Sequence, residues 1–450
     1  MLVPDVADPR EPYLADFKAL EREHFTGDPR WLQETRRKAL AQFRELGFPT
    51  QKNEMWKYTN TQSISKSRFT PAVTIPGDGL SAERLEPVVF GKFEGSELVF
   101  VNGRYSKRLS SLRNVPAGVQ ARSLADALRE DPKGLEPYLA RIARTDANPF
   151  TALNTAFLQD GAFIHIPSGK VVEGPIHLLF VSTSQKQPAV AYPRNLIVVD
   201  SGGQVTVTES YAGLDAGVYL TNAVTEAIVK DGGVLDHYKL QRESERAFHF
   251  ATLEIEQGRG TNVSDGSFSL GGALVRNDVN QRFTAEGGEL AMNGLYSVTG
   301  VQHVDNHTRI DHLTPHCSSR ELYKGILDGR ARGVFYGNII VHPGAQKTNA
   351  VQTNKNLLLS KEALVDSIPG LQIYANDVKC KHGSTTGQID EDSVFYLRSR
   401  GIDAETARAI LTYAFAREVV DLIKVPAMRA TIGVLLLSRL PNSEAVREAL

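Results

Sequence analysis

From residue 151 to residue 395 the chain is a succession of short strand-like runs with no helical segment between them. The runs IHLLFV, NLIVVD, QVTVTES, AVTEAIV, FATLEIE and ELAMNGLYSV are β-branched or alternating and are bounded by turn residues. A single flat sheet of that extent would leave long edges open to pairing with other chains. A sandwich, a closed barrel or a β-solenoid each removes that exposure. Paired glycines recur at Gly202-Gly203, Gly232-Gly233, Gly271-Gly272 and Gly287-Gly288, at uneven intervals, so there is no strict sequence repeat. The polar run QKTNAVQTNKNLLLS favours a solenoid, because Asn and Gln at successive turns can stack amide on amide. It leaves a sandwich open.

The flanks read differently. Residues 1–150 are mostly helical in pattern. WLQETRRKALAQFRELGF places Trp31, Leu32, Ala39, Leu40, Phe43 and Leu46 at helical spacing, and Gly47 follows as a stop. Asn102-Gly103 in ELVFVNGRYSKRL supplies the positive φ angles of a tight type I′ hairpin. SLADALRED and GLEPYLARIAR return to helical spacing. Residues 396–450 are helical again. Asp403 is a suitable N-cap with Glu405 in the first turn. Ala407, Ile410, Leu411, Ala414 and Phe415 form one apolar stripe, continued by Val419 and Leu422; Pro426 breaks the run, and AMRATIGVLLLSRL begins a second helix. Such helices either cap the open end of a solenoid or dock a partner.

At 450 residues, with 41% apolar and 23% charged residues, two or three folded units are expected. A formal net charge of −1 supplies no overall field toward nucleic acid or a membrane. No apolar run approaches the roughly 20 residues that span a bilayer. The N-terminal stretch MLVPDVADPREPYLADF is acidic and lacks the apolar core of a secretory signal. Two cysteines, Cys317 and Cys380, make no disulfide framework. A reducing cytoplasm is the expected location.

No phosphate loop, dinucleotide fingerprint, nucleophile elbow or H-E-x-x-H is present. PGAQKT at 343–348 lacks the spacing of a phosphate loop. Two constellations remain. HVDNHTRIDHLTPHC, residues 303–317, holds four of the eleven histidines. On a strand His303, Asp305 and His307 share one face, with Asp311, His312, His316 and Cys317 close behind. Imidazole and carboxylate suit zinc or iron, so one reading is a stand-alone metalloenzyme using this cluster. The other reading is a solvated β face that happens to be rich in histidine. The second constellation is Cys380-Lys381-His382, where i, i+2 spacing on an extended segment puts thiol and imidazole on one face and Lys381 on the other. A nearby cation and the imidazole would favour a thiolate, the form that binds metal. The bland reading is a partly buried cysteine beside a surface histidine. Iron–sulfur clusters need about four protein ligands, so two suffice only if another chain completes the shell. A polysaccharide-binding solenoid would want a recurring aromatic stripe, and none recurs at 8% aromatic content.

NDVKCKHGSTTGQIDEDSVFYLRSRGI closely resembles the C-terminal segment of the SufB/SufD family of iron–sulfur cluster assembly proteins. TRIDHLTPHCSSRELYKGILDGRARGVFYGNIIV, QTNKNLLLS and NEMWKYT are similar to the same family, and KCKH and WKYT sit nearer its SufD members. The resemblance runs from about residue 50 to 425 and is strongest from 300 to 415. It implies a mainly β fold: a right-handed parallel β-helix core (151–395) between helical N-terminal (1–150) and C-terminal (396–450) domains. It implies a non-catalytic scaffold in a complex with SufB, paired through the β-helix, and with the ATPase SufC, held by the C-terminal helices. A homodimer in isolation is the alternative assembly. It implies iron acquisition and nascent cluster assembly at the SufB–SufD interface, with His382 as a ligand and Cys380 beside it, completed by the partner chain. No cofactor is expected to be tightly bound beyond that transient iron or cluster. Some complexes of this type bind reduced flavin, for which no residue is assigned here. The 303–317 cluster matches the family pattern too, so the resemblance favours a structural or interfacial role for it over a catalytic one.

Overall fold

The strand runs are joined by one corner repeated along the chain. Gly169, Gly202, Gly232, Gly260, Gly287, His316 and Lys347 all have φ between 58° and 76°. Each corner N–H points one turn ahead: Gly202 donates to the Asp231 carbonyl, Gly232 to Arg259, Gly260 to Glu286, His316 to Gln346 and Lys347 to Asp377. The left-handed backbone suits glycine, and histidine tolerates it better than most residues. Only three of these seven corners coincide with the paired glycines, which is why no strict repeat is legible.

In this computed structural model, which describes residues 8–74, 79–183 and 187–449, the corners wind the chain into a parallel β-solenoid. The first seven residues of the acidic N-terminal stretch lie outside the described residues. The chain visits two sheets alternately, which gives each parallel pair the crossover it requires. One sheet stacks Ala162–Ile166, Arg194–Val199, Tyr219–Val229, Phe248–Gln257, Leu274–Phe283, His303–His312, Arg332–Val341 and Leu364–Ile373. The other stacks Ile176–Ser182, Gln204–Gly213, Val234–Arg242, Asn262–Ser269, Glu289–Val298, Ser318–Leu327, Asn349–Leu358 and Lys379–Gly387. Between them, Ile164, Ile197, Val207, Ile255, Val279, Ile310 and Ile339 fill the lumen. The amide stacking expected of a solenoid occurs between Asn277 and Asn306, which are register partners with a 2.9 Å hydrogen bond. In the polar run itself, Gln352, Asn354 and Asn356 bond instead to Glu321, the Tyr323 carbonyl and Tyr296.

The outer face of the first sheet is covered by the N-terminal region. Glu11–Glu23, Arg30–Leu46 and Pro149–Phe157 are helices, and Gly47 ends the second at φ 64°. Phe43, Trp56, Phe150 and Phe157 pack with Leu220, Phe250 and Leu274 of the sheet. The hairpin at Asn102-Gly103 forms as expected, with Phe100 opposite Tyr105. GLEPYLARIAR differs from its helical expectation. Helix covers only Pro132–Leu135, and Ala140 adopts φ 59°. The backbone N–H groups of Ala140, Ile142 and Ala143 leave the helical pattern to bind the buried Glu226 carboxylate at 2.8–3.0 Å, so a tertiary demand overrides local spacing.

Of the C-terminal helices, Ala404–Val420 and Pro426–Leu437 lie against the outer face of the second sheet, and Glu391–Ser399 and Ser443–Ala449 pack on Ala404–Val420. Asp403 caps its helix as expected. The buried face of that helix is Thr406, Ala407, Ala409, Thr412, Ala416, Val419 and Val420, which shares only Ala407 and Val419 with the expected stripe, and Leu422 is exposed. Ala416, Val419 and Val420 pack over Leu240, Phe268, Leu295 and Ile326 of the sheet, while Ala409 packs on Leu437 and Val446 of the neighbouring helices. These helices flank the solenoid rather than cap its end. The last turn, Leu364–Ile373 with Lys379–Gly387, has no fully buried residue.

Candidate functional site at the open end of the solenoid

Lys379–Gly387 is the final strand, bonded on one side only, to Asn349–Leu358. Ala350 is the register partner of Cys380, and Gln352 that of His382. Cys380 is half-buried and packs against the lumen core. Alternation places His382 on the same lumen face and Lys381 on the other, as the spacing requires. Among the described residues no further turn covers them, and His382 is exposed. Polar bonds hold the end in shape: Ser367 and Ser384 hydroxyls meet at 2.7 Å, and Ser367 donates to Asn354 Oδ1 at 2.7 Å.

The expected thiolate is not what this environment favours. Burial against the lumen pushes the Cys380 thiol up, and a hydrogen bond from the Ala350 backbone only opposes it. Lys381, turned away, does not enter. Cys380 is therefore a thiol at neutral pH in the lone chain, and metal binding there must release its proton. Among the described residues, no group of three or more His, Cys, Asp and Glu side chains is placed to hold a metal ion. Cys380 and His382 are thus two donors at an uncovered edge.

The 303–317 segment is dispersed. His303, Asp305 and His307 do share one face, but it lies beneath the N-terminal region. Asp305 accepts from Arg276 at 2.8 Å and Thr59 at 2.5 Å, and His307 Nε2 is 3.0 Å from it. Against burial, His307 and Arg276 hold the Asp305 carboxyl well below the usual carboxylate range. His303 meets Thr59 Oγ1 at 3.0 Å, and His307 stacks on Tyr336. His312 points into the lumen, bonds Ser319 at 2.9 Å, and is pushed by burial down to about 4. Asp311 pairs with Arg309 and His342. His316 is a left-handed corner, and Cys317 is buried with its thiol toward the Ala285 and Pro315 carbonyls. Through Thr59 the segment holds the WKYT residues to the solenoid, and Arg276 of the neighbouring strand adds to this, lying 3.8 Å from the Trp56 ring and bonded to the Met55 carbonyl.

The lumen itself carries polar groups that spacing arguments missed. Lys239 and Asn277 bond at 2.5 Å, and His237 lies between Asp265 and Glu209 at 2.8 and 3.2 Å. Despite burial, Asp265 and Glu209 push His237 up to about 9. Nearer the open end, Gln352 donates to Glu321 at 2.8 Å. Burial without a basic partner pushes Glu321 up to about 7. The signal was present in RELYKG and AVQTNK as polar residues at alternate, inward positions. Recognising them as inward requires the register, and the register requires the corners.

Fold and site together define a parallel β-solenoid protein with a Cys-x-His pair on its uncovered terminal strand. Residues 180–415 match the family model described as SUF system FeS cluster assembly, SufBD core domain, and residues 8–178 match the SufBD protein N-terminal region. The chain belongs to the SufBD family of iron–sulfur cluster assembly proteins. It is 31% identical to the iron–sulfur cluster assembly protein SufD of Escherichia coli over 90% of this chain and 92% of that one. It is 33% identical to a SufBD family protein of Synechocystis over 86% of each, and 30% identical to the chloroplastic protein ABCI7 of Arabidopsis thaliana over 83% of this chain and 79% of that one. Among the described residues, no helix is long and apolar enough to cross a membrane.

Proposed function

We propose that this chain is a non-catalytic scaffold of the cytoplasmic SUF machinery, pairing with SufB through the open end of the solenoid and with the ATPase SufC through its C-terminal helices. The observation that carries the reading is the two-donor pair Cys380 and His382 on a strand with one side unpaired. An unpaired strand edge is a template for another strand, and a second chain brought there supplies the missing ligands. The substrate is iron or a nascent cluster, bound transiently and handed on. Cys380 gives up its proton on binding, and His382 contributes a neutral ring nitrogen. Docking of an ATPase is supported by exposed aromatic and apolar side chains on the C-terminal helices, with Phe395 72% and Tyr396 57% exposed. ATP hydrolysis belongs to that partner, and its movement would open the shared interface. Reduced flavin, if carried by the complex, is held by residues not assigned in this chain.

His382→Ala tests the reading in cells. Cluster formation falls while the purified complex keeps its subunits. A complex that no longer assembles makes His382 structural, and unchanged cluster formation removes it as a ligand.

A further inference from the structure

Register aligns Asp265, Met292, Glu321, Gln352 and His382 in one column on the lumen face of the second sheet. Gln352 is 1% exposed. Its Nε2 donates to Glu321 Oε2 at 2.8 Å, one rung deeper. That bond fixes which end of the amide faces Glu321. The other end, Oε1, is buried and has no hydrogen-bond partner among the described residues. A buried carbonyl without a donor is costly and rare. Space is made for this amide across the lumen: a Cβ at Gly337 of the opposite sheet would lie 2.3 Å from Gln352 Nε2. The next rung toward the open end is His382, on the same face.

We propose that Gln352 is the positioning residue of the terminal site, accepting a ring N–H of His382 on its Oε1 while Glu321 holds the amide in the required orientation. A histidine that binds metal through one nitrogen characteristically gives its other N–H to such an acceptor, which fixes tautomer and ring direction. Here the acceptor lies inward, so the nitrogen carrying the lone pair is directed to the open end. The hydrogen bond stands on its own; its use in metal binding rests on the reading of His382 as a ligand.

The test is the tautomer of His382 in the full-length chain labelled with 15N-histidine, with His382→Ala to assign its ring nitrogens. The wild type shows one neutral tautomer. Gln352→Met, similar in volume and without an acceptor, shows a mixture. The same mixture in both proteins overturns the inference. Where Gln352→Met does not fold, Glu321→Met serves: it keeps the amide and removes what orients it, and an unchanged single tautomer overturns the role given to Glu321. In the purified complex, Gln352→Met weakens iron binding about 10–100-fold. A locked tautomer in a complex whose iron is indifferent to His382→Ala supports the hydrogen bond and overturns only the ligand reading.

Discussion

Replacing Glu321 by Gln stabilises the protein in a pH-dependent way. Glu321 is fully enclosed in the lumen, and burial is the main cause of its raised pKa; contacts from Thr308 and Gln352 only partly oppose it. Its carboxyl titrates at about 7 in the folded chain, against 4.5 for an ordinary glutamate. Between those values the folded state keeps a proton that the unfolded state has lost. Stability is therefore full below about pH 4.5 and falls as pH rises through about 7. At about 1.4 kcal/mol per pH unit, the interval amounts to roughly 3 kcal/mol. Glutamine keeps a carbonyl for the Gln352 amide and has no charge to bury. Denaturant unfolding of the two proteins, side by side from pH 5 to pH 8.5, isolates this group because all other titrations are shared. The advantage of Glu321→Gln should be small at pH 5, climb through pH 6–7 and level off near 3 kcal/mol by pH 8. A difference that does not vary with pH refutes the reasoning, because it would mean that Glu321 ionises in the fold as easily as in water.

Two further predictions rest on other contacts. Arg276→Met strands the buried carboxylate of Asp305 and the partly buried one of Asp278, to which Arg276 bonds at 2.8 Å, and should cost about 3–5 kcal/mol. Limited proteolysis should then cut around residues 53–61, which Arg276 secures through Trp56 and Met55; resistance equal to wild type contradicts this. Alkylation of Cys380, followed by mass spectrometry, should be slow at pH 7 and still rising at pH 9, because burial raises its thiol, while Cys317 stays unlabelled until unfolding. A Cys380 rate that levels off below pH 8 would show a thiolate held by its neighbours.

Local signals that need no partner were legible in the sequence. The helix ending at Gly47, the hairpin at Asn102-Gly103, the cap at Asp403 and the strand character of the central region follow from residues within a few positions of each other. What was hidden depends on contacts far apart in sequence. Residues 136–144 abandon helix because Glu226 demands their N–H groups. The helix over Ala404–Val420 turns its small residues inward because the sheet and the neighbouring helices lie against them, a face that its own apolar count does not choose. Cys-x-His spacing correctly put two donors on one face, yet the thiol state depended on whether that face was lumen or solvent. The Glu321–Gln352 pair could not be seen until the corners at His316 and Lys347 set the register, and neither corner is a glycine.

The central claim is that this chain carries part of a shared site and works only with other chains. The measurement that tests it most directly is the native mass and subunit composition of what co-purifies with the tagged chain from its own host. The account predicts a complex holding a second solenoid chain and an ATPase. A chain recovered alone or as a homodimer, with metal bound in stoichiometric amount, would contradict it.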